Sequence, residues 1–317
     1  MSILFSQFLS KNNEIQPQEA DFTEVLSTIA LVPKKLYFYG KMPENRPKMG
    51  SEGRLKTTCQ KAKMRPKTLA VVGTRKPTKY GEEIAYKLAY AAAKRGAVVV
   101  SGLAYGIDSV AHRAALDAGG VTVAVLGTPI DQIYPKAHYG LAAEIVAKGG
   151  VVMSELAPGA EFYPKTSFLE RNRLIAGLSD VVVIPEAAER SGSLNTAAHA
   201  LEQGREVLAA PGDINRPLSR GCNRLIRQGA MPYLELADAL DLLFPAPPTR
   251  RGAQQMMLTG DNDEETAILA QLRAGIQDGE QILAMTGLAA AVFNRTTTML
   301  ELKGRIRSLG ANRWALK

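Results

Sequence analysis

From Leu69 onward the chain alternates short, unbroken apolar runs with longer stretches in which apolar residues recur at helical spacing. "TLAVVG" is followed by "EEIAYKLAYAAAKRG", "AVVVSG" by "IDSVAHRAALDAGG", and "VTVAVLG" by "YGLAAEIVAKGG". "VVMSEL" is followed by "SFLERNRLIAGLS", "DVVVIPEA" by "SLNTAAHALEQGR", and "EVLAAPG" by "SRGCNRLIRQGA". A run that is apolar at every position fits a strand buried on both faces, and a helix after each run supplies the crossover of a parallel sheet. The pattern predicts an α/β fold, a Rossmann-like doubly wound parallel sheet spanning residues 69–244.

Beyond it, "FPAPPTRRGAQQ" predicts a linker over 245–262, rich in Pro, Arg and Gln. "DNDEETAILAQLRAG", "DGEQILAMTG" and "LAAAVFNRTTTMLELKG" then read as three helices, and "RIRSLGANRWALK" as a hairpin around Gly310. That order predicts a small C-terminal winged-helix domain over 263–317. Residues 1–68 predict a helix and a strand in "FTEVLSTIALVPKKLYFYGKMPE", then a basic, mobile loop in "NRPKMGSEGRLKTTCQKAKMRPK".

Charge sharpens the picture only when it is located. The net +8 arises from residues 1–68, with 12 Lys/Arg against 6 Asp/Glu, and from two arginines in the linker. Residues 69–244 carry 18 of each sign and residues 261–317 carry 7 of each. A site for nucleic acid on the central domain must therefore come from local clustering of cations. No apolar run approaches the roughly 18 residues of a membrane span, and "MSILFSQFLSKNNE" makes a poor secretory signal. Cys59 and Cys222 have no metal-ligand spacing, so the expected setting is a reducing cytoplasm.

In an open parallel sheet, ligands bind beyond the carboxyl ends of the strands. There "GTRKPT" brings Arg75, Lys76 and Lys79, and "SGLAYGID" brings Ser101, Gly102 and Gly106. "EFYPKTSF" brings Lys165 beside Phe162, Tyr163 and Phe168, and "RSGSLNT" brings a helix start of small residues, Ser191, Gly192 and Ser193. Cations, exposed amides and aromatic rings gathered on one rim suit a phosphate chain with unstacked bases. Arg171 and Arg173 flank Asn172 in "ERNR", where an internal ion pair and a phosphate contact are equally good readings.

No dinucleotide cofactor is expected, because Arg75 and Lys76 replace the glycines of the G-x-G-x-x-G fingerprint. Candidates for catalysis are few. His112 and His199 lie inside helices, and the serines lack a recognisable His/Asp partner. Glu186, closing the fifth parallel strand, is the one acid placed to touch a ligand, and a loop hydrogen-bond acceptor is its plainer role. The main rival is a nucleoside-monophosphate phosphoribohydrolase of the lysine-decarboxylase-like type, but the double glycine of its "PGGxGT" loop is missing from "PEAAERSGSLNT". A second rival has the winged helix read duplex DNA through Arg295 and Lys303.

"VVGTRKPTKYG", "VVSGLAYGIDSVAH", "DQIYP", "SFLERNRLIAGLS", "RSGSLNTAAHALEQGREVLAAPG" and "GCNRLIRQGA", in this order over residues 69–233, resemble the DNA-processing protein A (DprA/Smf) family. The resemblance implies a Rossmann-like domain that binds single-stranded DNA, forms a homodimer and helps load the RecA recombinase during natural transformation, with no established catalytic activity. It implies a pocket of Arg75, Lys165, Phe168 and Arg171, lined by the loops Gly102–Gly106 and Ser191–Ser193, with Phe168 as a base-stacking platform. Tyr105 stands where many relatives carry Arg, and Leu169 replaces a common proline.

Overall fold

A computed structural model describes residues 12–44, 65–245, 261–310 and 312–316, except for the side chain of Lys165. Most of the basic loop expected before Leu69, and most of the expected linker, lie outside these residues. The chain separates into two compact units, residues 1–245 and 246–317.

Six strands of the first unit follow the apolar runs: β3 (Thr68–Val71), β4 (Val98–Ser101), β5 (Thr122–Val125), β6 (Val151–Ser154), β7 (Val181–Ile184) and β8 (Glu206–Ala209), and a two-residue strand, β9 (Met231–Pro232), comes after them. Ahead of them lie β1 (Asn13–Ile15) and β2 (Leu36–Gly40). The nine pair in the order β1-β2-β6-β5-β4-β3-β7-β8-β9. β2 runs antiparallel to both β1 and β6, and every pairing from β6 to β9 is parallel. Chain order reverses between β3 and β7, so a crevice opens there beyond their carboxyl ends.

The helices are α1 (Lys79–Lys94), α2 (Ile107–Asp117), α3 (Tyr139–Ala147), α4 (Pro164–Leu178), α5 (Ser193–Glu202), α6 (Arg220–Arg227) and α7 (Leu236–Leu243). Alternate residues of one strand feed opposite cores, as the two-residue period of a strand requires. Leu69 and Val71 pack with Leu88, Ala111 and Leu240 of α1, α2 and α7. Ala70 and Val72 pack with Leu174, Ala197 and Leu225 of α4, α5 and α6. Each fully buried Leu or Val contributes about 1.5–3 kcal/mol over its exposed state. The sheet is thus covered on both faces, and the Rossmann-like expectation holds.

The early segment differs from its expectation. Instead of an α-helix there are short 3-10 turns, Pro17–Glu19 and Glu24–Thr28. Thr23, Val25, Thr28 and Ile29 are β-branched and weaken the helical preference of this stretch.

The second unit contains α8 (Asp263–Arg273), α9 (Gly279–Thr286), α10 (Ala290–Leu302) and a hairpin of β10 (Ile306–Gly310) with β11 (Arg313–Leu316). Asn262 and Asp278 cap α8 and α9 by accepting from the Glu265, Glu280 and Gln281 amides. Gly287, at φ 65°, ends α9 in the left-handed region. Ile268, Leu269, Ile282, Phe293, Leu300 and Ile306 form the core. This is a winged helix.

Candidate nucleic-acid interface

The crevice between β3 and β7 holds a cavity of about 590 Å³. Four segments wall it: Val72–Arg75 after β3, Ala104 and Asp108 from the loop after β4 and the start of α2, residues of α4 from Pro164 to Ile175, and the turn that opens α5. Arg75, Phe168, Arg171, Ser191, Gly192 and Ser193 all line it. The loops that the sequence places on one rim therefore converge on one hollow.

Phe168 and Arg75 form its mouth. The Arg75 guanidinium carbon stands 5.8 Å from the centre of the Phe168 ring, within cation–π range. Arg75 is exposed, and its charge reaches the buried Asp108 and Arg171. Tyr134 packs against Phe168 as well, ring centres 5.4 Å apart and tilted by 42°. Gly127 makes the ring's position possible, because a Cβ there would come within 2.5 Å of Phe168 Cδ1. The helix that carries Phe168 begins at Pro164, three residues earlier than the sequence suggests, with proline in the first turn where no amide hydrogen is needed. This places the Lys165 backbone in the first turn of α4; its side chain is outside the described residues.

Arg171 takes the internal role. It is buried, and Nη1 donates to the carbonyls of Gly102 (2.8 Å) and Val125 while Nε donates to Asn172 Oδ1 (3.2 Å). Burial lowers its pKa to about 10, partly opposed by Asp108, so it stays charged at neutral pH. Asp108 is buried too, and its carboxylate accepts from the amides of Gly102 (3.0 Å) and Ala104 (3.4 Å). Burial raises its pKa against the pull of Arg171. Arg173 is used differently again, gripping Glu155 at 2.7 and 2.5 Å.

Four expected contacts are placed otherwise. Ser101 is fully buried and its hydroxyl donates to the Val71 carbonyl at 2.7 Å, so it offers nothing to a ligand. Gly102 borders only a smaller cleft beside the cavity, and its missing Cβ leaves room for the Arg171 guanidinium. Gly106, at φ 76°, lets its loop pass the Thr74 carbonyl and lines neither hollow. Lys76 is exposed and lines neither. The loop after β4 is therefore not an anion nest, because Asp108 consumes its inward amides. The turn before α5 is more open: the Ser191 and Ser193 hydroxyls lie 2.8 Å apart, and a Cβ on Gly192 would meet nothing within 4 Å.

The candidates for catalysis are occupied. Glu186 accepts from the Thr78 amide and hydroxyl, both at 2.8 Å, the loop-acceptor role. His112 Nδ1 meets Thr122 Oγ1 at 2.7 Å, and burial lowers its pKa to about 3. His138 Nδ1 donates to the Leu103 carbonyl at 2.8 Å. Burial pushes the Cys222 thiol up to about 12. Among the described residues no cluster of His, Cys, Asp or Glu could hold a metal ion, and no helix is long and apolar enough to cross a membrane. Residues that the sequence left unmarked include Asp108, Thr196 and Tyr134; the acid following Gly106 at a helix start was the available signal for Asp108.

In the second unit the supposed duplex-reading cations are paired with acids around the start of α8. Lys303 bonds Asp261 (2.7 Å) and Glu265 (2.6 Å), and Arg295 lies 3.6 Å from Glu264.

Residues 55–244 match the family described as DNA recombination-mediator protein A, and residues 246–312 match the DprA winged helix domain. The Smf protein of Escherichia coli is 48% identical over 179 residues, covering 55% of this chain and 46% of that protein. The DNA processing protein DprA of Bacillus subtilis is 42% identical over 176 residues, covering 55% of this chain and 58% of its own. The chain spans about half the length of the curated relatives it matches. Among solved structures, DNA processing protein A from Streptococcus pneumoniae superposes with a TM-score of 0.59 at 36% identity, over 74% of this chain and 75% of that one. The same protein from Helicobacter pylori, described for its single-stranded DNA binding mode, gives 0.59 at 30% identity, over 74% and 95%.

Proposed function

The chain belongs to the DNA recombination-mediator protein A family, and from that premise we propose that it binds single-stranded DNA, without strong sequence preference, in the cavity between β3 and β7. The observation that carries this reading is Arg75 above the Phe168 ring at the mouth of that cavity. A base stacked on Phe168 would bring its phosphate to Arg75, and the Ser191–Ser193 turn would receive a neighbouring phosphate by backbone contact that carries no sequence information. Lys165, in the first turn of the same helix, is assigned to the phosphate as well. Every base has a π-face, so stacking tolerates any sequence.

The chain acts in this reading by binding and not by catalysis. As a cytoplasmic homodimer it delivers the strand to RecA recombinase in DNA uptake and recombination. Support comes from the family membership and from Glu186, whose carboxylate is committed to Thr78. The test is the anisotropy of labelled oligo-dT across a salt series. Wild-type affinity falls steeply with salt, and Arg75→Ala with Lys165→Ala weakens binding at least tenfold. Unchanged affinity in that double variant would remove the pocket from the proposal.

A further inference from the structure

The opposite rim of the sheet, where the parallel strands begin, carries a second groove of about 760 Å³. Its charged lining is Lys41, Glu44, Arg65, Lys67, Lys94 and Arg95. Glu44 is the one acid among the described lining residues, and it pairs with Lys41 at 3.2 Å. Arg65 is committed to Asp180 and to the Leu178 carbonyl. Lys67, Lys94 and Arg95 enter no ion pair among the described residues.

The plainest role for Lys94 and Arg95 is to offset the carbonyl end of α1. The magnitudes show that this leaves a surplus. The helices α1, α2 and α3 end on this rim, and each brings about half a negative charge. Three unpaired full cations exceed that sum. Lys67, moreover, precedes β3 and closes no helix. The groove remains positive in a unit whose sheet-and-helix body carries equal numbers of the two charges.

We propose that this groove is a second contact surface for nucleic acid, holding the phosphate backbone of a strand whose other segment occupies the cavity at the far rim. The proposal rests on the single-stranded-DNA reading of that cavity. Uncommitted point charges without a directing partner suit repeating phosphates, where register is free and sequence is not read. A strand long enough to pass around the domain engages both surfaces, and a short one engages the cavity alone.

The experiment compares the full chain with Lys67→Gln/Lys94→Gln/Arg95→Gln, using labelled oligo-dT of about 6 nucleotides, within the footprint of a single site, and of about 40. Loss of three phosphate contacts makes the salt slope for the long oligonucleotide shallower by about 2 and weakens it about tenfold at moderate salt. The short oligonucleotide binds as to wild type, whereas Arg75→Ala weakens both. Should the triple variant melt earlier than wild type, Lys94→Gln/Arg95→Gln, on the exposed end of α1, carries the test with a slope change of about 1.4. Unchanged affinity for the long oligonucleotide overturns the proposal and leaves the groove to an acidic protein surface, and an equal loss for the short one overturns it too. Failure of wild type to bind either oligonucleotide would instead sink the reading of the cavity itself.

Discussion

At the scale of single residues, the absence of a side chain at Gly127 matters as much as the presence of Phe168. Gly127→Ala puts a methyl group into the Phe168 ring, at 2.5 Å from Cδ1, and the ring must leave its place beside Arg75. Oligo-dT affinity should fall about tenfold, on the order of one base stack, without loss of fold, read by anisotropy beside a thermal melt. His112 supplies a second residue-level prediction. Thr122 Oγ1 donates to the Val99 carbonyl, so His112 Nδ1 carries the proton and Nε2 is a buried lone pair with no partner among the described residues. The native pKa is lowered to about 3, against about 6.5 in an unfolded chain. The unfolded state therefore binds the extra proton between these values, and stability declines as pH falls through that window, by about 5 kcal/mol in all. Asp108 acts in the opposite sense, since burial raises its carboxyl and the native state takes up that proton first. His112→Leu isolates the histidine: chemical denaturation at pH 7 and pH 4 should show a smaller difference in the variant than in wild type.

At the scale of elements, legibility followed burial. β3 to β8 could be read because nearly every residue in them is buried, which leaves an unbroken apolar run. β9 and α7 were missed: β9 is two residues long with both exposed, and a run of that length has no pattern. The two arginines of "ERNR" have the same local context, yet one binds carbonyls of β5 and the loop after β4 while the other binds Glu155. Only the packing of α4 on the sheet separates them. The assignment predicts that Arg171→Lys, which cannot reach both carbonyls and Asn172 at once, lowers the melting temperature by an amount equivalent to about 2–4 kcal/mol while the salt slope of oligo-dT binding keeps its value. A residue that held a phosphate would instead lower the slope by about 0.7. The winged helix carries its own electrostatic clamp. Hydrogen bonding to Lys303 holds the Asp261 carboxyl below its usual range; burial works against the same effect at Glu265, which still ends below it. Bonding to Asp261 and Glu265 raises Lys303. The carboxylate contribution is complete above the unfolded pKa near 4 and is lost as pH falls through the lowered values. The lysine contribution is complete below about 10.4 and is lost as pH rises through the raised value. Lys303→Met should remove the alkaline edge and shrink the acidic one, part of which Arg305 sustains through Asp261, and the Trp314 fluorescence of the second unit can follow both.

At the scale of the whole molecule, composition identified what the net charge could not do, and topology supplied the rest. A body with equal numbers of the two charges becomes a candidate for binding DNA because the strand order reverses between β3 and β7, and that reversal brings the turns carrying Arg75 and Ser191 to one hollow. Nothing in the spacing of apolar runs states which strands are neighbours, so the convergence was an expectation until the order was known. The two units differ in what they leave free. In the first, Arg75 is exposed and enters no salt bridge among the described residues, although its charge acts on the buried Asp108. In the second, Lys303, Arg305 and Arg295 are each held by an acid at or near the start of α8, and the exposed Arg307 and Arg313 lie on the hairpin, with no aromatic ring under either cation among the described contacts. Affinity for single strands should therefore reside in the first unit. A chain ending at Pro245, where the compact unit ends, should bind oligo-dT within about threefold of the full chain and with a salt slope unchanged to within about one phosphate. The slope counts phosphates directly, so it separates this outcome from a shared site: were the winged helix a main reader of the strand, truncation would remove several contacts and flatten the salt dependence together with the affinity.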